Sequence, residues 1–326
     1  MKTHPYDRLN PDMIIDAVES VGYLSDARLL ALNSYENRVY QVGIEDAEPI
    51  IAKFYRPGRW SEAQIREEHA FSLELAEAEI SVVAPMVDAQ GATLHRYDDF
   101  QFALFARRGG YPPELDNLDN LLVLGRTLGR IHGIGRTQPF AHRQAISVQR
   151  MLRDSREFLL DGFIPKDLVD AYASLTSDLD TLTSALMAEV DDEDLIRVHG
   201  DCHVGNILWR DDTAHFVDFD DCCSAPAIQD LWMFLNGERH DRQLQLSELI
   251  EGYSEFCDFD PRQIRWIEAL RTLRLVHYAA WLARRWEDPA FPRSFTWFNS
   301  ERYWADHILE LREQMSALQE EPLQLI

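Results

Sequence analysis

Residues 198–209, VHGDCHVGNILW, constrain this chain more than any other stretch. Two histidines, an aspartate and an asparagine fall within eight residues, and apolar side chains close both ends. The flanks predict a segment held in a core. Polar residues held there need partners, because an unpaired buried polar group is costly. Twelve residues beyond Asn206 the chain reads VDFDD, with Asp218 following the apolar run HFV. Residues 207–209 and 215–217, joined by Arg210-Asp211-Asp212-Thr213, predict a two-stranded hairpin. Such a hairpin brings the loop 199–206 beside Asp218.

That spacing has chemical content. Asn206 and Asp218 become two hard oxygen donors at opposite ends of one hairpin. Hard oxygens with positions left for water and phosphate suit Mg²⁺. Asp201, five residues before Asn206, is near enough to take a proton from a hydroxyl beside that metal. A base, an amide ligand and a carboxylate ligand in this order suit phosphoryl transfer, where positioning and charge neutralisation do most of the work. Taken singly, each part is ordinary: an Asp in a loop is usually a cap or turn residue, and DFDD alone is usually a solvated turn. The joint pattern of HGDxHxGN, apolar hairpin and DFD is what carries specificity.

The rest of the chain is organised around this segment. Its 326 residues suffice for one large domain or two lobes. Residues 11–22 read as an amphipathic helix, with Asn10 as N-cap and Gly22 as a stop. Strand-like runs follow at 29–32, 38–44, 50–55, 93–97 and 100–105, interrupted by a helix over 61–78 with Ser61 as N-cap. After Arg107-Arg108-Gly109-Gly110 and Pro112-Pro113 the pattern turns helical: 118–134, 147–160, 166–190, 227–236, 243–256, 261–286 and 301–318. Short β-like pieces remain at 195–199, 206–209 and 214–219. The expectation is an α+β fold in two lobes. Residues 1–106 form a small antiparallel β-sheet lobe plus one helix, and 107–326 form a larger, mostly helical lobe, with a hinge near 106–113. A cleft between lobes is a common place for a ligand.

Bulk charge narrows the partners. The formal net charge is −24, which excludes non-specific nucleic-acid binding and disfavours an anionic membrane surface. An anionic ligand needs local cations or a metal ion here. No apolar run is long enough to span a bilayer, and residues 1–13 lack a hydrophobic signal core, so a cytoplasmic protein is expected. Cys202, Cys222, Cys223 and Cys257 contain no CxxC pair, so reduced thiols are expected and a structural zinc site is not.

HGDCHVGN with VDFDD is similar to the catalytic loop and metal aspartate of the aminoglycoside phosphotransferase/choline kinase-like group, which shares the protein-kinase-like fold. The resemblance implies ATP and Mg²⁺ as cofactors. It implies Asp201 as catalytic base, Asn206 as Mg²⁺ ligand, and Asp218 as the catalytic aspartate bridging metal to the nucleotide phosphates. His203 matches a family histidine expected to be structural, and His199 is expected to pack and hydrogen-bond within the loop. Asp220 is a candidate second metal contact. Asp230 in PAIQDLW matches the family's acidic residue after the metal motif and is expected to anchor the loop.

The resemblance also requires a strand lysine in the small lobe. IIAKFY supplies Lys53, the only lysine between Lys2 and Lys166. A glutamate of helix 61–78 should pair with it. Glu67 and Glu68 both stand there; Glu68 shares a face with Ile65, Phe71 and Leu75 and is the choice, while Glu67 lies on a more polar side. One departure is plain. ALNSYENRVYQV has no glycine from residue 23 to 42, where protein kinases carry GxGxxG. Residues 33–37 must turn without it, and Ser34 with its neighbouring backbone N–H groups is expected over the ATP phosphates. Strand 102–105 is expected to offer backbone groups to the adenine.

LNSYENRVY, KFYRPGRW, EEHAF, HGDCHVGNILWR, QDLWM and WEDPAFP resemble bacterial stress-response kinases within that group, from about residue 10 to the end of the chain. This narrower resemblance implies an ATP- and Mg²⁺-dependent serine/threonine protein kinase. It would act on protein hydroxyls, its own included, in the stress response; a monomer is expected. The residues themselves leave the acceptor open. A small-molecule hydroxyl kinase of choline, homoserine or aminoglycoside type is the alternative, and the acidic charge suits a cationic acceptor as well as a basic protein segment. A binding scaffold with a decayed site is a third reading, against which Lys53, Asp201, Asn206 and Asp218 all count. The aromatic residues between Trp266 and Trp304 are expected mainly in packing, and Arg271, Arg274, Arg284 and Arg285 mainly in ion pairs.

Overall fold

The computed structural model describes residues 6–326. The first five residues of the expected small lobe, and of the N-terminal segment read as lacking a signal core, lie outside them. Asn10 caps α1 (Pro11–Glu19): its side chain accepts the Met13 N–H, and Pro11 occupies the first turn, where no N–H is needed. The chain then turns at Gly22, whose φ of +99° suits glycine. Strands β1 (Ser25–Ala31), β2 (Arg38–Ile44) and β3 (Ile50–Phe54) follow. Helix α2 (Glu62–Glu77), with a Ser61/Gln64 capping box, precedes β4 (His95–Tyr97) and β5 (Phe100–Ala106).

The five strands form one antiparallel sheet in the order β1-β2-β3-β5-β4. Strand alternation divides its residues between two faces. Ala52 and Phe54 of β3 join Phe100, Phe102 and Leu104 of β5 in a core with Ile14, Ala17 and Val18 of α1. The other face gathers Tyr55 and Ala103 with Ile65 of α2. Lys53 lies on this second face, pointing away from the α1 side.

The remainder is mostly helical. It contains α3 (Leu118–Gly135), α4 (Asp154–Leu160), α5 (Val169–Met187), α6 (Arg239–Ser254), α7 (Ile267–Arg284), α8 (Ala290–Ser294) and α9 (Glu301–Ala317). Between α5 and α6 lie β6 (Ile196–Val198), β7 (Ile207–Arg210), β8 (Thr213–Phe216) and β9 (Cys223–Ala225). β7 pairs with β8, and β6 pairs with β9, both antiparallel. α3 and α6 pack at backbone distance. A Cβ on Gly252 would overlap the Leu122 carbonyl oxygen, so only glycine permits that approach. A second core around Tyr172, Phe291, Trp304 and Leu311 joins α5, α7, α8 and α9.

Several expected elements take a different form. The helix expected over 227–236 is two 3₁₀ turns, Ala227–Asp230 and Trp232–Phe234. Pro226 enters the first turn in extended conformation, and Asp230 directs its carboxylate back at the loop after β6. The helix expected over 147–160 opens with a π-helical turn, Gln149–Arg153, and that over 261–286 with a 3₁₀ stretch, Pro261–Trp266. β8 ends at Phe216 because Asp218 adopts a left-handed φ of +60°. β9 has no counterpart in the sequence pattern: three residues containing Cys223 carry no strand periodicity. The result is a bilobal α+β architecture, a small antiparallel sheet beside a larger helical body.

Candidate active site

The loop after β6 is fixed from beneath. His199 N–H and Gly200 N–H donate to the two carboxylate oxygens of Asp230, at 2.7 and 2.9 Å. Asp230 is fully buried and also meets His132 Nε2 at 3.0 Å. The side chain of Gln229 donates to the Gly200 carbonyl at 3.0 Å. Gly200 has a φ of +84°, and a Cβ there would overlap the Asp221 carbonyl oxygen. His199 Nε2 donates to the Val217 carbonyl at 2.8 Å, tying the loop to the residue before Asp218. A carbonyl only accepts, so this contact sets the histidine tautomer.

The hairpin β7–β8 brings Asn206 and Asp218 to its open end, where Val217 N–H donates to the Asn206 carbonyl at 3.0 Å. Asn206 Nδ2 donates to the Asp201 carbonyl at 2.9 Å, which leaves its Oδ1 without a hydrogen bond among the described residues. The Asp218 side chain is about half exposed, and its Oδ1 lies 3.0 Å from Lys53 Nζ. Asp201 is held at both oxygens: Arg274 Nη1 reaches Oδ1 at 2.5 Å, and His203 Nε2 stands 3.5 Å from Oδ2. His203 Nδ1 accepts the Gly205 N–H, so Nε2 carries the proton that faces Asp201. Burial pushes the Asp201 carboxyl up, but His203 and Arg274 outweigh it and hold it well below the usual carboxylate range.

Lys53 is buried among three carboxylates: Asp218 at 3.0 Å, Asp220 at 3.2 Å and Glu68 at 3.4 Å. Glu68 comes from α2, and Arg143 Nη2 meets its other oxygen at 3.0 Å. Burial is the main influence on Glu68 and pushes its carboxyl up to about 7, against the pull of Lys53. Glu67 faces elsewhere and accepts the backbone N–H groups of Ala141, His142 and Arg143, at 2.5, 2.9 and 2.7 Å. Adjacent helical residues diverge by about 100°, so only one of the two glutamates can reach the lysine. Asp220 is buried and ion-paired with Arg59 as well as Lys53. A metal contact at Asp220 therefore competes with two cations already there.

The other expected residues lie as follows. Ser34 Oγ donates to the Asn37 carbonyl at 3.2 Å, closing the turn between β1 and β2. Residues 102–105 pair with β3 along their length, β4 flanks them only at Phe102, and Met86 N–H donates to the Leu104 carbonyl at 2.7 Å. Of the backbone expected to meet adenine, the Leu104 carbonyl is thus already taken by Met86. Sequence reasoning missed Arg59, Arg143 and Arg274 as site residues. Arg59 stands in KFYRPGRW and Arg274 in the basic helix, but their carboxylate partners are more than 70 residues away in sequence.

The oxygen donors Asn206 and Asp218 suit a hard cation. Among the described residues no group of three or more His, Cys, Asp or Glu side chains gathers to hold a metal ion. What stands free is the Asn206 carboxamide oxygen beside a half-exposed Asp218. Mg²⁺ commonly takes one or two protein oxygens and completes its shell with water and phosphate.

Residues 28–267 match the phosphotransferase enzyme family known as APH. Stress response kinase A of Escherichia coli (strain K12) is 47% identical over 321 residues, covering 98% of this chain and 97% of its own. The serine/threonine protein kinase RdoA of Salmonella typhimurium is 46% identical over 322 residues, again covering 98% and 97%. Among solved structures, amicoumacin kinase hAmiN in complex with AMP-PNP, Ca²⁺ and Ami superposes with a TM-score of 0.75 at 20% identity. That match covers 96% of this chain and 94% of hAmiN, a likeness of fold. The chain belongs to the phosphotransferase enzyme family, and it is a kinase built on the bilobal, protein-kinase-like fold.

Proposed function

We propose that this kinase transfers the γ-phosphate of ATP, with Mg²⁺, to serine and threonine hydroxyls of proteins, its own among them. The observation that carries the reading is the set Lys53, Asn206, Asp218 and Asp201. A buried lysine, two oxygen donors and an ionised carboxylate converge where the sheet meets the helical body. The near full-length likeness to relatives named as kinases, one of them a serine/threonine protein kinase, supports a protein acceptor.

In this reading residues 1–106 bind the nucleotide and 107–326 supply the catalytic loop and metal site. Lys53, oriented by Glu68, meets the nucleotide phosphates. The turn with Ser34 and its backbone N–H groups covers them. Asn206 and Asp218 hold the metal, which when bound neutralises charge on the phosphate oxygens. Asp201 accepts a hydrogen bond from the acceptor hydroxyl and aims its oxygen at the γ-phosphorus. The new O–P bond forms as the bond from phosphorus to the β–γ bridging oxygen breaks. ADP leaves, and the hydroxyl proton passes to Asp201. Because Asp201 is a weak base, positioning outweighs early proton removal, as suits a loose transition state.

We also propose a role in the stress response and the cytoplasm, as a monomer without nucleic-acid or membrane partners. Among the described residues no helix is long and apolar enough to cross a membrane. A small-molecule hydroxyl kinase is the second reading, favoured by the fold likeness to amicoumacin kinase. Labelled γ-phosphate transfer to protein, set against transfer to choline, homoserine and aminoglycosides, separates the two. Labelling confined to a small molecule sinks the protein-kinase reading.

A further inference from the structure

We propose that α7 fixes the turn of residues 33–37 through Glu36, which makes Glu36, Trp281 and Arg285 positioning residues for phosphoryl transfer. This rests on the reading of that turn as the cover over the ATP phosphates. Glu36 sits in the middle of the turn yet is only 9% exposed. Trp281 Nε1 donates to its Oε2 at 2.6 Å, and Arg285 Nη2 donates to its Oε1 at 3.0 Å. Arg56 Nε stands 2.9 Å from the same Oε1.

Three further contacts bind the turn and its neighbours to the helical body. Asp288, just beyond α7, takes Arg56 Nη2 at 2.5 Å and Arg38 Nη2 at 3.2 Å. The Tyr35 ring packs on Phe295 with centroids 4.7 Å apart. Arg59 extends the network, pairing with Asp220 and Asp221 while its Nε lies 3.9 Å from Glu36. Charged side chains therefore run without a break from the turn to the carboxylates around Lys53.

Stability alone gives little reason for this arrangement. A buried ion pair commonly does no better than an apolar pair of the same volume, so its contribution lies more in fixing register. Register is what a glycine-free turn lacks. A glycine-rich loop settles onto phosphates through its own backbone freedom, whereas this turn carries Ser34, Tyr35, Glu36 and Asn37 and needs its position set from outside. The helix that sets it also reaches the catalytic loop. Arg274, Trp281 and the C-cap residue Arg285 are spaced at i, i+7 and i+11, which places them on one face of α7. Arg274 holds Asp201 while Trp281 and Arg285 hold Glu36. One rigid element thus sets both the phosphate side and the acceptor side of the site.

The test measures ATP kinetics and amide hydrogen exchange of residues 33–37, with and without AMP-PNP and Mg²⁺. Wild type, Glu36→Gln and Trp281→Phe are compared, the second substitution removing the indole donor while keeping an aromatic ring. The expected result is slowed exchange in 33–37 on nucleotide binding by wild type. Each variant then raises KM for ATP about tenfold with kcat changed less than about threefold, and exchanges faster in the turn. A general loss of stability lowers the amount of active enzyme and does not produce that split. Wild-type protection with unchanged KM in both variants overturns the clamp and leaves the turn assignment standing. Absence of protection in nucleotide-bound wild type removes the turn assignment, and the clamp falls with it.

Discussion

Arg274 Nη1 lies 2.5 Å from Asp201 Oδ1, so a guanidinium from α7 meets the carboxylate assigned as catalytic base. Burial alone raises that carboxyl, and its two basic neighbours, His203 and Arg274, reverse the direction. The base therefore stays ionised throughout the neutral and mildly acid range. In stability terms the sign is that of a depressed carboxylate. The contribution is present above the unfolded pKa and is lost as pH falls through the lower folded value.

Replacing Arg274 by Gln removes one of the two groups that offset burial. Asp201 should then protonate at higher pH, so kcat/KM falls off sooner on acidification than in wild type, while Arg274→Lys keeps most of the wild-type profile. A pH–rate profile of the three proteins checks this; an acid limb that does not move in Arg274→Gln contradicts it.

Asp201 and Asp218 should separate cleanly. Asp201→Asn is expected to lower transfer by about 10³-fold or more while nucleotide affinity stays within about twofold. Asp218→Ala removes an oxygen donor and a partner of Lys53, so Mg·ATP binding weakens along with turnover. Calorimetric titration with AMP-PNP and Mg²⁺, beside single-turnover transfer, reads both. Near-normal turnover in either variant contradicts these roles.

Glu67 and Glu68 are neighbours with different tasks. Glu68→Gln takes a carboxylate from Lys53 and Arg143 and should raise KM for ATP. Glu67→Gln weakens acceptance of three backbone N–H groups and should lower stability by about 1–3 kcal/mol with KM unchanged. Thermal melts and ATP kinetics on the pair settle it: equal KM effects would mean that Glu67 also serves the nucleotide.

Asp230 should act on the loop alone. Its two oxygens accept the N–H groups of His199 and Gly200 in a fully buried site. Asn offers one acceptor and sets an NH₂ against the other N–H. We expect Asp230→Asn to lose about 2–4 kcal/mol of stability and to lower kcat more than it alters KM for ATP. Denaturant titration and steady-state kinetics measure the two effects, and an unchanged kcat contradicts the anchoring role.

Local patterns were legible in the sequence. Asn10 and Ser61 announced the starts of α1 and α2, and the alternation in IIAKFY set Lys53 on the face opposite Ala52 and Phe54. The hairpin of β7 and β8 followed from two apolar triplets around a polar turn. What escaped was decided at long range. The segment 227–236 has helical spacing, yet the hydrogen bonds that Asp230 accepts from His199 and Gly200 draw it into 3₁₀ turns. The strand over 100–105 was legible, but nothing local reveals that Met86 takes up the Leu104 carbonyl. Glu36 had no role of its own in the expected turn 33–37, since Trp281 and Arg285 lie about 250 positions away. The basic residues of α7 were read as ion-pairing; that one of them meets Asp201 is a matter of tertiary geometry.

The proposed phosphate transfer from ATP to protein hydroxyls through Asp201 is the step on which the other assignments depend. Mass-spectrometric mapping of phosphate after incubation with Mg²⁺ and ATP, with Asp201→Asn treated in parallel, tests it most directly. The expected result is phosphoserine or phosphothreonine on the wild-type chain or an added protein, and none from the Asp201→Asn enzyme. Protein phosphate formed equally by both enzymes, or wild-type phosphate found only on a small-molecule hydroxyl, would contradict it.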